Sequence, residues 1–220
     1  MNLTPGGSLH ENKNKLLAIC RKGIIVRLHV HKKGFRALGI SESFIKGVSD
    51  RSILAGVVMR ADRVIDGFTF ATSTVGGMDS TEKILEMYEW MKRDDINIIL
   101  LNGCVISWYN VVDLNFLAEK IGLPLICVTY EESEGIERFF KELFPKDWEY
   151  RVEIYLKNGV RRKVSVWTGK ELYIRFFNID LEEAVAVLNK FTLSGAVPEP
   201  IRVARLLARS LMRRMGRRLF

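Results

Sequence analysis

Histidine and cysteine, two side chains that often bind metals, are scarce: the 220 residues contain three of each. Cys20, Cys104 and Cys127 have none of the paired spacings that are typical of zinc sites. Cys104 and Cys127 follow or lie within apolar runs, so we interpret them as reduced core thiols. This pattern argues against a disulfide-stapled secreted domain and predicts a cytoplasmic protein.

Long apolar runs are also missing, and no segment is long enough to predict a membrane span. The apolar residues 16–20 are followed at once by Arg21 and Lys22, which argues against a signal peptide. We interpret residues 1–22 as a flexible tail and residues 23–220 as a single domain. The sequence leaves the oligomeric state open.

Acidic side chains are absent from the last 20 residues, which hold seven arginines. Helical spacing places five of these arginines on one side: Arg202, Arg205, Arg209, Arg213 and Arg217. Because like charges without an acid among them repel one another, this pattern predicts an anionic partner. DNA or RNA is the first candidate. An anionic membrane surface is the second, and an acidic patch of the protein itself is the third.

The order of the secondary-structure patterns predicts an α/β fold. Apolar patterns predict strands over residues 35–40, 52–60, 64–72, 96–101 and 125–128, and helices over residues 79–94 and 113–121. Three strands followed by helix, strand, helix and strand is the order of a ribonuclease H-like mixed sheet. Residues 150–177 are predicted to add a β-meander, and residues 180–218 the C-terminal helices, of which the last is basic.

In a ribonuclease H-like sheet, the chemistry takes place where side chains at strand ends meet a neighbouring helix. Here the strand ends carry Ser41, with Glu42 beside it, and Asn102. We predict that Ser41, Asn102 and either Asp79 or Glu82 line one cleft, so these residues and Glu42 are the catalytic candidates. Asp79 and Glu82 also fit a pair that caps the start of a helix, and the exposed amides there would suit an anion.

Three further residues each allow two interpretations. Trp108 and Tyr109 lie in the loop beyond the central strand, where they are placed to stack on a nucleobase or to close over the core. Asp66 lies inside a hairpin strand, where it either faces water or joins Asp79 and Glu82 in a metal site.

Several stretches of the sequence resemble an archaeal family classed as a domain of unknown function, number ninety-nine. They comprise residues 54–60, 64–67, 76–82, 108–113 and 198–205. That family is distantly similar to endonuclease V, a ribonuclease H-like enzyme that cuts inosine-containing nucleic acid with magnesium. The resemblance implies magnesium or manganese as the cofactor. It implies a metal-dependent nuclease or phosphodiester hydrolase as the activity.

Three of the four catalytic positions of endonuclease V differ in this chain. The aspartate that ends its first strand becomes Ser41, and its central Asp-Gly becomes Asn102-Gly103. Its lysine falls at Tyr130, and only its helix glutamate is matched, near Glu82. Serine and asparagine bring no negative charge to a pair of divalent cations. We therefore predict a nucleic-acid-interacting protein that cleaves inosine-containing strands weakly or not at all. The alternative is a non-catalytic module that binds a protein or a small anion in the cleft.

Overall fold

The computed structural model describes residues 28–132 and 135–215. Nine strands form within these residues: β1 (Arg36–Ser43), β2 (Arg51–Arg60), β3 (Ile65–Thr74), β4 (Ile98–Asn102), β5 (Val105–Ile106), β6 (Asn110–Val111), β7 (Leu125–Thr129), β8 (Arg162–Ser165) and β9 (Glu171–Phe177). Six helices are interspersed: α1 (Ser80–Trp90), α2 (Leu114–Ile121), α3 (Ile136–Leu143), α4 (Trp148–Lys157), α5 (Leu181–Phe191) and α6 (Glu199–Met215). The predicted tail (residues 1–22) and Arg217 lie outside the described residues.

Seven strands form one mixed sheet in the order β3-β2-β1-β4-β7-β9-β8. The central strands β1, β4 and β7 pair parallel with one another. The outer pairs are antiparallel: β1 with β2 and β2 with β3 on one side, and β7 with β9 and β9 with β8 on the other. This arrangement confirms the predicted α/β class. The predicted helix 79–94 corresponds to the shorter α1, and the predicted helix 113–121 to α2.

The two faces of the sheet carry separate apolar cores, because side chains alternate along each strand. On one face, Leu38 and Ile40 of β1 pack in a cluster with Ile84 of α1 and Leu117 of α2. On the other face, Ala37 belongs to a cluster that includes side chains of α5 and α6. Strands β4 and β7 contribute to both cores, which explains their continuous apolar sequences.

The prediction of a β-meander over residues 150–177 is wrong in its first third. Residues 148–157 form helix α4, because Trp148, Val152 and Tyr155 recur at helical spacing and pack around Phe140 of α3. The remaining part forms the predicted hairpin, in which β8 pairs antiparallel with β9 and β9 continues the main sheet beside β7.

Helix α6 crosses β1 and β2, with its apolar side on the sheet through Ile201, Ala204 and Ala208. At its start the approach is so close that only glycine fits beneath it. A Cβ atom on Gly39 of β1 would lie 2.3 Å from the carbonyl carbon of Pro200. The arginine-rich side of α6 is therefore turned away from the sheet. No helix within the described residues is long and apolar enough to cross a membrane.

Candidate functional site

The carboxyl ends of the central parallel strands bring together two of the predicted site residues. The side-chain amide Nδ2 of Asn102, the last residue of β4, donates to Oγ of Ser41 at 3.0 Å. This contact confirms that the ends of the two strands are adjacent. Strand β1 extends to Ser43, beyond its pairing with β4 and along β2. Ser41 and Glu42 therefore belong to the strand, whereas the sequence placed them after it.

Glu42 is an acidic side chain at this edge that is largely buried. Its Oε2 is buried without a hydrogen-bond partner. Burial raises the pKa of Glu42 to about 7, although the backbone amide of Ser107 and the positive charges of Arg205 and Arg209 act in the opposite direction. The Glu42 carboxyl can therefore gain or lose a proton near neutral pH.

Tyr130 follows β7 and completes the row of strand-end residues. Its hydroxyl is buried without a hydrogen-bond partner. Burial raises the pKa of Tyr130, while Arg205 and Arg202 lower it, so the hydroxyl stays protonated at neutral pH. Tyr130 was not among the predicted site residues. Its position directly after a buried strand is the same signal that selected Ser41 and Asn102.

The Asp79 carboxylate accepts hydrogen bonds mainly from Thr74, in the segment before α1. It accepts from the Thr74 amide at 2.9 and 3.1 Å, from the Thr74 hydroxyl at 2.8 Å and from Asn110 Nδ2 at 2.9 Å. Burial alone would raise the pKa of Asp79, but these hydrogen bonds outweigh it and lower the pKa. The predicted capping pair is wrong, because Asp79 makes no side-chain hydrogen bond to the helix start. Glu82 is exposed on the first turn of α1.

Asp66 lies at the other end of the sheet from Asp79. Its carboxylate pairs with Arg36 and, at 2.9 Å, with Arg93. Asp66 and Thr74 are eight residue steps apart along β3, about 26 Å at roughly 3.3 Å per residue. The structure therefore does not bring Asp66, Asp79 and Glu82 into one metal site.

The side chains at the strand ends do not fit a pair of divalent cations. Magnesium and manganese prefer several anionic oxygens, but the Ser41–Asn102 pair is neutral. Because side chains alternate along β1, Glu42 points to the opposite face of the sheet from Ser41. Within residues 28–132 and 135–215, no group of three or more histidine, cysteine, aspartate or glutamate side chains is arranged to hold a metal ion. Magnesium or manganese binding thus remains a sequence-based expectation.

A strained turn holds the two predicted aromatic residues above the sheet. Ser107, Trp108 and Tyr109 have φ values of 46°, 59° and 64°, a left-handed conformation that non-glycine residues rarely adopt. The Ser107 hydroxyl lies 2.5 Å from that of Ser52 and 3.1 Å from that of Ser73, so the turn is tied to β2 and β3.

The two aromatic rings have different surroundings. Tyr109 packs against Phe139, Phe140 and Phe144, so its ring closes over the α3 core. Trp108 faces a cavity of about 490 Å³, where Lys46 Nζ lies 4.3 Å from the centre of its ring. Only Trp108 of this pair keeps a position from which it can stack on a base.

The arginines of α6 divide into paired and unpaired side chains. Arg202 forms an ion pair with Glu199 at 2.9 Å and donates to the Ser194 carbonyl. Arg205, Arg209 and Arg213 are exposed, and none has a carboxylate oxygen of a described residue within 4.0 Å. These three, with Arg214, lie on the outer side of α6, and we call them the arginine row. The positive charges of Arg205 and Arg209 act to lower the pKa of Glu42.

Solved structures define the class of protein to which this fold belongs. An Archaeoglobus fulgidus protein of unknown function superposes with a TM-score of 0.70 at 24% identity, covering 80% of this chain and 98% of that one. Endonuclease V from Ciona intestinalis, in complex with inosine-containing DNA, superposes with a TM-score of 0.56 at 14% identity, covering 94% and 98%. Human endonuclease V gives a TM-score of 0.58 at 15% identity, covering 95% and 100%. The chain thus has an endonuclease V-like α/β fold.

Sequence comparison then identifies the family. The chain belongs to the endonuclease dU family, whose model matches residues 33–212. A UPF0215 protein from Pyrobaculum calidifontis is 38% identical over 182 residues, covering 82% of this chain and 99% of that protein. A UPF0215 protein from Methanothermobacter thermautotrophicus is 32% identical, covering 80% and 87%. These matches confirm the predicted archaeal family and its distant similarity to endonuclease V.

Proposed function

We propose that the protein binds nucleic acid along the arginine row and leads it to the carboxyl edge of β1 and β4. The observation that carries the proposal is the row itself, whose exposed arginines lie on the outer side of the helix that crosses β1 and β2. The order β3-β2-β1-β4-β7, in which the pairs β1–β4 and β4–β7 are parallel and the pairs β1–β2 and β2–β3 are antiparallel, supports assigning the sheet as ribonuclease H-like. The similar endonuclease V from Ciona intestinalis was solved in complex with DNA, which supports the same class of ligand here.

The spacing of the row suits a phosphate backbone. Arg205 and Arg213 are eight residues apart, about 12 Å along a helix that rises about 1.5 Å per residue. That length matches three to four nucleotide steps of roughly 3.4 Å each. Guanidinium groups bind phosphate oxygens in two-pronged geometry, so they select phosphate over most other anions.

Salt dependence should reveal these contacts. If Arg205, Arg209 and Arg213 each neutralise one phosphate, replacing all three with glutamine should make the slope of log affinity against log salt less steep by about 2.7 for duplex DNA. Fluorescence anisotropy with a labelled duplex from about 50 to 300 mM salt would measure both slopes. A matched control replaces three exposed basic residues elsewhere, Lys146, Arg162 and Lys170, with glutamine. An equal change in the control variant would contradict the assignment of the contacts to α6.

A second candidate function, phosphodiester cleavage, is favoured by Glu42. Its carboxyl ionises near neutral pH, in the range that suits a general base. Arg205 and Arg209 are placed to offset charge that develops on a phosphate during cleavage. The family name, endonuclease dU, supports deoxyuridine-containing DNA as the substrate to test first.

Nicking assays can separate cleavage from binding alone. We expect strands with deoxyuridine to be cut faster than strands with inosine, because the acids that mark endonuclease V are replaced at Ser41 and Asn102. Glu42→Gln should lower the rate by about 10²- to 10⁴-fold, the usual contribution of a general base, and the exposed Glu82→Gln should not. Magnesium-dependent inosine cleavage that is lost in Glu82→Ala would instead support an endonuclease V-like site. Retained DNA binding without any cleavage would leave a non-catalytic module.

A further inference from the structure

A second cavity, of about 900 Å³, lies between the β1–β2 loop and α6. Its lining residues come from both elements: Ile45, Val48, Leu206, Arg209, Ser210, Arg213 and Arg214. The loop that forms one wall of this cavity also borders the Trp108 cavity on its other side, since Val48 lines both. Three members of the arginine row, Arg209, Arg213 and Arg214, thus form the charged wall of a concave site.

The lining combines apolar and cationic side chains in an arrangement that the fold does not require. Ile45, Val48 and Leu206 are 41%, 56% and 60% exposed, so they contribute little to the core. Clustered apolar side chains that face solvent beside charged ones usually mark a binding site. The ligand that fits should therefore have an apolar surface close to a negative charge.

Hydrogen bonds within the loop and to α6 give this cavity a defined shape. The Ile45 amide donates to Ser49 Oγ at 3.1 Å, and the Ser49 amide donates to the Ile45 carbonyl at 2.8 Å. The Ser49 hydroxyl in turn contacts Sδ of Met212 on α6 at 3.6 Å. The β1–β2 loop and α6, which form the two walls of the cavity, are therefore joined by buried groups.

We propose that this cavity holds an unpaired nucleotide, with its base against Ile45 and Leu206 and its neighbouring phosphates on Arg209 and Arg213. The inference rests on the proposed nucleic-acid function and narrows it to strands with unstacked bases. A duplex presents phosphates but keeps its base faces stacked inside, so it would leave the apolar lining unused.

The test compares single-stranded and duplex oligonucleotides of one sequence on the full-length protein. Leu206→Asn removes apolar contact from an exposed position and keeps every arginine. We expect it to weaken binding of the single strand about tenfold, as the loss of a base contact does, and to change duplex binding less than twofold. The matched control is Leu156→Asn on α4, because Leu156 is 61% exposed and lies outside the lining. Thermal unfolding of both variants checks that the fold is intact.

An abasic single strand supplies an independent measurement. It keeps the phosphates and lacks the bases, so it should bind the wild-type protein and Leu206→Asn with equal affinity. Equal weakening of single-strand and duplex binding by Leu206→Asn, or no weakening of either, would overturn the inference. So would binding to vesicles of anionic phospholipid that depends on Leu206 when oligonucleotide binding does not.

The outcomes also separate this inference from the proposed function. If the arginine-to-glutamine variant loses binding while Leu206→Asn keeps it, nucleic-acid binding stands and the nucleotide cavity is wrong. If the wild-type protein binds no oligonucleotide at low salt, both are wrong.

Discussion

Replacing Glu42 with glutamine is expected to stabilise the folded protein at pH 8 by up to about 3 kcal/mol and to leave its stability at pH 4 unchanged. The pKa of Glu42 is raised from 4.5 to about 7 in the folded state. Below about pH 4.5 the carboxyl is protonated in both the folded and the unfolded chain, so it does not affect the balance. Between pH 4.5 and 7 the unfolded chain ionises first, which lowers the free energy of unfolding as the pH rises. Above pH 7 the buried carboxyl is ionised in the folded protein too, and the full loss in the free energy of unfolding is reached.

Urea unfolding of wild type and Glu42→Gln at pH 4, 6 and 8 would measure this effect. The two proteins should have equal free energies of unfolding at pH 4 and diverge as the pH rises. Glu82→Gln is the control, because Glu82 is exposed on α1. A constant difference between wild type and Glu42→Gln at all three pH values would show that Glu42 is not buried in its neutral form.

Replacing Arg151 with methionine should cost about 3–5 kcal/mol of stability. Arg151 is 2% exposed, and its guanidinium donates to the carbonyls of Gly76, Gly77 and Tyr109 at 2.7, 3.1 and 2.8 Å. It also pairs with Asp147 at 2.8 Å. Methionine fills similar space but leaves these carbonyls without a donor. The loop at residues 76–77 and the turn at residues 107–109 would lose their common attachment.

Chemical denaturation and tryptophan fluorescence would follow Arg151→Met, because Trp108 lies next to Tyr109 in the turn that Arg151 supports. Arg162→Met is the matched control, since Arg162 is exposed on β8. A loss below about 1 kcal/mol, the scale of an exposed ion pair, would mean that water replaces Arg151 at the carbonyls.

The fold was predictable wherever a local pattern decides the structure. The apolar runs that became β4 and β7 are buried on both faces, and that requirement is visible in any short window of sequence. The strand predicted over residues 150–156 is wrong because two patterns overlap there. Val152, Ile154 and Leu156 alternate as in a strand, whereas Trp148, Val152 and Tyr155 recur at helical spacing. Packing against Phe140 stabilises the helix, and this contact with another helix cannot be seen in the local sequence pattern.

The candidate site was predictable only in part, for a related reason. Ser41 and Asn102 could be paired from the order of the strands, since parallel neighbours end at the same edge. The burial of Glu42 depends on elements far along the chain, including the turn at Ser107 and the arginines of α6. The role of Arg151 could not be predicted because its partners are mostly backbone carbonyls, which every residue has.

The left-handed turn at residues 107–109 has a consequence for the thermodynamics of binding. Three consecutive residues with positive φ are held by the Ser52–Ser73–Ser107 hydroxyl cluster and by Arg151. The conformational entropy lost in placing Trp108 beside its cavity has therefore already been lost on folding. A ligand that contacts its ring avoids an ordering cost of about 0.5–1.5 kcal/mol for an immobilised side chain. The preformed turn should therefore increase the affinity for a ligand that contacts the Trp108 ring.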